Sequence, residues 1–175
     1  MTRSHAIRRA VVAAISVIML SHTAARSAAQ IVRGQLRSSD KGCVISATPV
    51  SFGTYDALNT RPTESQGTIS YECGTHEGDL RTPVKNIQIE LSSGSSGNYS
   101  SRTLQGGGDR LQYNVYLDAA HQTIWGDGTS GTDVLRHSNP QNHQTYTVQI
   151  YGRILPQQDV LFGSYTDTLI ATIEW

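Results

Sequence analysis

"GSYTDTLIATIEW", residues Gly163 to Trp175, is the stretch on which the fold turns. From Thr168 onward apolar and polar residues alternate, which sets Leu169, Ala171, Ile173 and Trp175 on one face of an extended chain. A period of two is the mark of a β-strand with one buried face. No turn, cap or polar tail follows. The sequence closes inside what reads as a core strand, and the open side of that strand has no evident cover.

Working outward from this end, the same period recurs in short runs. "YTVQIYGRI" (Tyr146 to Ile154) carries Tyr146, Val148 and Ile150, and "LQYNVYLD" sets Leu111, Tyr113, Val115 and Leu117 against Gln112, Asn114, Tyr116 and Asp118. "NIQIEL" places Ile87, Ile89 and Leu91 inward with Gln88 and Glu90 outward. "GTISYEC" aligns Ile69, Tyr71 and Cys73, and "VISATPVSF" (Val44 to Phe52) precedes it. Between the runs stand "SSGSSGN", "QGGGD" and "WGDGTSGTD", which are turn and loop chemistry. Short alternating strands joined by Gly-rich connections predict an all-β sandwich, and no helical period competes with that reading.

The first 29 residues read differently. Arg3, Arg8 and Arg9 make a basic start, "AVVAAISVIML" (Ala10 to Leu20) is an apolar run, and "SHTAARSAAQ" follows with small residues. That is the layout of a secretory signal peptide, with cleavage expected after Ala29 or after Ala25. The apolar run is shorter than the ~20 residues a membrane-spanning helix needs. Residues 1–29 are therefore expected to be a leader, 30–42 an N-terminal extension, and 43–175 a single domain. Removing the leader takes four of the 14 basic residues and none of the 14 acidic ones, for a net charge of −4. A nucleic-acid partner would want a basic patch, and this balance offers none. No later segment is apolar for long enough to span a bilayer, so the product is expected to be exported.

Cys43 and Cys73 are the two cysteines. In an exported chain an even pair most simply forms a disulfide, here joining the first two strands. Zinc would need local Cys/His pairs that are missing. His76, His121, His137 and His143 form no metal-binding motif. Asp127 and Asp133 sit among glycines but lack the alternating ligands and closing Glu of a calcium loop. "QGGGDR" has neither the Lys-Ser/Thr nor the helix of a phosphate cradle, and reads as a hairpin turn. Asn98 opens a glycosylation pattern, "NYS", in a Ser-rich loop. No Gly-x-Ser-x-Gly elbow occurs. No enzyme, metal or cofactor chemistry is expected. A carbohydrate-binding surface built on exposed aromatics such as Tyr116, Trp125 and Tyr151 is an alternative.

Four segments, in order, resemble one family. They are "CVISATPVSFGTYD" (Cys43 to Asp56), "RTLQGGGDRLQYNVYLDAA" (Arg102 to Ala120) with "IWGDGTSGT" after it, "YGRILPQQ" (Tyr151 to Gln158), and the closing strand. Together they resemble the spore coat protein U domain, which is shared with pilin subunits of archaic chaperone–usher systems. The resemblance implies an immunoglobulin-like sandwich that lacks its final strand and is completed by a donated one. It also implies the partners: a periplasmic chaperone, an outer-membrane usher, and other subunits of the same pilus, a secreted surface fibre serving adhesion or biofilm formation. A self-assembling spore or cell coat protein is the alternative within the same family. Leu169, Ala171, Ile173 and Trp175 would then edge the acceptor groove. The donor would lie ahead of Cys43, where "QIVRGQLRSS" (Gln30 to Ser39) sets Val32, Gly34 and Leu36 on one face. Strand addition of this kind draws affinity from main-chain hydrogen bonds and register from alternate side chains.

Overall fold

A computed structural model describes residues 9–19, 41–75 and 84–175. Among these residues there are ten strands: β1 (Arg9–Met19), β2 (Lys41–Thr48), β3 (Ser51–Gly53), β4 (Thr63–Thr75), β5 (Asn86–Leu91), β6 (Arg102–Gly106), β7 (Asp109–Tyr116), β8 (Leu135–Ser138), β9 (Gln144–Ile154) and β10 (Tyr165–Glu174). Among the described residues the one helical piece is a 3-10 turn at Gly94–Ser96.

Pairing runs β2-β4-β9-β7-β6-β10-β1-β3, with β5 on β10 and β8 on β5. β2 and β3, the two ends of this path, are one run of chain interrupted at Pro49. Proline has no N–H to give a ladder, so the strand breaks there and its second half joins the other sheet. At the far side a single pair, Thr166 with Gln105, links β10 to β6. The result is two sheets, β2-β4-β9-β7-β6 and β8-β5-β10-β1-β3, folded face to face as an immunoglobulin-like sandwich. One core fills the space between them, drawn from Ile69, Leu111, Val115 and Ile150 on one sheet and Ile89, Leu91, Leu169 and Ile173 on the other.

Cys43 and Cys73 face each other across the β2–β4 ladder and are joined by a disulfide. The "QGGGD" segment is the β6–β7 hairpin turn, with Gly107 and Gly108 at φ of 60° and 87°. Two successive left-handed residues match the right-handed twist of the flanking strands, and glycine adopts them without a Cβ penalty.

Two strands escape the sequence pattern. β6 buries three consecutive residues, Arg102, Thr103 and Leu104, so it does not alternate. β8 is a short, half-exposed edge strand of four residues. The closing strand begins earlier than its pattern suggests, because Tyr165 and Asp167 are also buried. Arg9–Met19, which lies within the segment expected to be a leader, forms β1.

Candidate strand-acceptor site

β10 is the central element of its sheet. β5 flanks one side, with Leu91 opposite Ala171 and Ile89 opposite Ile173. Its other side is covered along nearly the whole length by β1, antiparallel, from Arg9 opposite Glu174 to Met19 opposite Tyr165. β1 in turn runs parallel to β3 at Ile18 and Met19. Without β1, both β10 and β3 would carry a bare edge, because among the described residues nothing else pairs there. This side of β10 is therefore an interior strand position, and Leu169, Ala171 and Ile173, the residues expected to edge an acceptor groove, are fully buried on it. Trp175 is half-buried beside this core, and its indole nitrogen is enclosed with no hydrogen-bond partner among the described residues. The candidate donor residues Val32, Gly34 and Leu36 lie outside the described residues.

Polar groups are built into the wall behind this strand. Asp167 is only 4 % exposed. Its Oδ2 accepts from the Tyr113 hydroxyl at 2.7 Å, and its Oδ1 accepts from the N–H groups of Ser95 (3.0 Å) and Thr168 (2.9 Å). Burial, and then the neighbouring Asp167 carboxylate, push the Tyr113 phenol far above its usual range. Its proton therefore stays on and donates. Arg102 is fully buried. Its guanidinium donates to the Ser92 carbonyl from Nε (3.1 Å) and Nη2 (2.8 Å), to the Trp125 carbonyl at 2.7 Å, and to Asn114 Oδ1 at 2.6 Å. Asn114 passes the network on, donating to the Tyr99 carbonyl at 2.8 Å. A buried cation is tolerable only when its donors are satisfied in this way.

The alternation of "LQYNVYLD" puts Asn114 on the polar side, yet Asn114 is buried beside Arg102. Its signal in the sequence was weak: an Arg twelve residues earlier, in a run that does not alternate. Trp125 also departs from expectation. It is fully buried, and its indole N–H donates to the Ile89 carbonyl at 2.9 Å. Trp125 is a plug in the core and offers no exposed face to a sugar. Tyr116 and Tyr151 are half-buried and lie edge-on to His121, with ring centroids 5.1 and 6.2 Å away. Of the three aromatics named as an alternative carbohydrate surface, Trp125 is thus removed. Asp127 and Asp133 spend their carboxylates on nearby donors, Asp127 on Thr129 and Asp133 on the Val134 N–H and on Arg136 of β8.

Fold and site together define a class: an all-β sandwich in which the interior strand position between β10 and β3 is filled by the N-terminal strand β1. The profile of the Spore Coat Protein U domain matches residues 32–172, and the chain belongs to that family. It is 30% identical over 135 residues to Protein U of Myxococcus xanthus, an alignment covering 71% of this chain and 70% of that protein. Among solved structures it is similar to a chaperone–tip adhesion subunit pre-assembly complex from the archaic chaperone-usher Csu pili of Acinetobacter baumannii. There the identity is 18% and the TM-score 0.45, over 77% of this chain and 40% of that one.

Proposed function

We propose that this protein is a structural subunit of an extracellular pilus, assembled by strand donation through a periplasmic chaperone and an outer-membrane usher. The observation that carries the reading is the β10–β3 gap: among the described residues, those from Lys41 onward supply every strand of the sandwich except the one between β10 and β3. A domain with such a gap binds strands, and its affinity comes from completing two ladders at once. Membership of the Spore Coat Protein U domain family supports a structural role in place of catalysis. In the fibre, the gap of each subunit takes the Gln30–Ser39 extension of the next, with Val32, Gly34 and Leu36 facing in. A leader spanning 1–29 sends the chain to the periplasm, and the finished fibre serves adhesion or biofilm formation.

Leu36→Asp tests the donor role. An aspartate on the inward face would bury an unpaired charge and block insertion. Polymer formation should fall to background while chaperone binding is retained, since the extension lies outside the core. Arg37→Asp, on the opposite face, should assemble like the parent. Normal fibres from Leu36→Asp would reduce the extension to a tail and leave this subunit capping the fibre.

A further inference from the structure

Residues Arg9–Met19 belong to the expected leader, yet they occupy the β10–β3 gap. We propose that the apolar leader is a strand donor in cis: a precursor that keeps it closes its own groove, and loss of the leader opens that groove to a strand from another chain. This rests on the strand-acceptor reading above.

The register carries the inference. Opposite the buried β10 positions Tyr165, Asp167, Leu169, Ala171 and Ile173 stand Met19, Val17, Ile15, Ala13 and Ala10, every one apolar. The smallest floor residue, Ala171, is met by an alanine, and the larger residues of β1 stand nearer Tyr165. A register shift between Val11 and Ala13 skips Val12 and keeps the phase on both sides of it. At the end of the ladder a basic residue, Arg9, stands opposite the acidic Glu174. The segment has no proline and is rich in β-branched Val and Ile, so its backbone can donate throughout. The Gln30–Ser39 extension offers only Val32 and Leu36 as large apolar residues on its inward face, so the leader is the better-matched strand. While covalently attached, it also competes at an effective concentration of order millimolar. Cutting the link removes that advantage, and the leader is lost by dilution.

The test compares three chains refolded under oxidising conditions: the full 175-residue chain, the chain from Gln30, and the chain from Gln30 with residues 9–19 appended after Trp175 through a short turn. Because Arg9 pairs with Glu174, a turn suffices to return the appended strand antiparallel to β10. The full chain should melt at least about 5 °C above the chain from Gln30, a shift of the size a few kcal/mol gives in a domain this large. It should also fail to bind a labelled peptide of residues 9–19, which the chain from Gln30 binds. Ile15→Asp, opposite buried Leu169, should abolish both differences, whereas Ala14→Asp, opposite exposed Ile170, should preserve them. If the appended strand stabilises the chain but the native leader does not, the cis role is overturned and the strand-acceptor reading survives. If neither strand stabilises the chain, both fall. Melting that drops on dilution would place the leader in a second copy and also overturn the cis role.

Discussion

At the scale of single residues, Arg102 is the most demanding group in the sandwich. Burial lowers the pKa of its guanidinium, yet the group remains charged because no ordinary pH reaches it. Three acceptors, the Ser92 and Trp125 carbonyls and Asn114 Oδ1, are satisfied by its planar fork. They come from three separate stretches of chain, so one side chain ties the β5 exit, the Trp125 loop and β7 together. Arg102→Met would leave the Ser92 and Trp125 carbonyls buried without this donor, while Asn114 Oδ1 keeps the Val115 N–H at 3.0 Å, and should cost about 1–3 kcal/mol for each orphaned carbonyl. Arg102→Lys should recover little, because an ammonium cannot span the fork. Urea midpoints of the three proteins check this. A lysine variant as stable as the parent would show that charge alone, without geometry, is what the site needs.

At the scale of elements, β9 passes tightly against the residues that follow the Pro49 break. Gly152 lies in β9 opposite Val115 of β7 and Ser65 of β4. A Cβ there would stand 2.5 Å from Val50 Cγ1 and 2.7 Å from Phe52 Cζ. A side chain at this position would collide with both, so the space favours glycine. Gly152→Ala should destabilise by about 1–3 kcal/mol through overpacking. Val50→Ala in the same chain should return part of the loss, since the two sites share one contact and cannot act additively. Additive losses in a double-mutant cycle would mean that the strands shift and that the contact is not the cause. This close passage was not legible in "YGRI", because a strand glycine reads only as a weak position until the opposing sheet is known.

At the scale of the whole molecule, burial acts on many tyrosines at once. Tyr71, Tyr99, Tyr113, Tyr116 and Tyr165 all have their pKa raised, in each case first by desolvation. A raised phenol pKa means that the folded state holds its proton more tightly than the unfolded chain. The stability from these groups is therefore fully present below about pH 10 and is lost as pH rises beyond it. At the acid end, hydrogen bonds hold Asp118, Asp127 and Asp133 below their usual range; these loop carboxylates are well solvated and should add only a shallow decline below about pH 4. The urea midpoint should thus fall steeply between about pH 10 and 11, and Tyr113→Phe should make that fall shallower while lowering the midpoint at neutral pH. A midpoint that stays level through this range would contradict the burial of these phenols.

What the sequence determined by itself was local. Alternation located β5, β7, β9, the body of β4 and most of β10, because a half-buried strand writes its two faces directly into residue order. The glycine run announced the β6–β7 turn, and two cysteines in an expected exported chain announced their own pairing. Everything that depended on a partner distant in sequence waited for the tertiary structure. Asn114 reads as an outward polar residue until Arg102 is placed beside it, and Trp125 reads as a surface aromatic until the Ile89 carbonyl is found at its indole nitrogen. β6 does not alternate because Arg102 is held inside by carbonyls that lie ten and twenty-three residues away. The same holds for the gap at β10. Its residues show that one face is apolar, but backbone hydrogen bonding at a strand edge leaves no trace in side-chain pattern, so only the assembled sheets reveal which strand lies there.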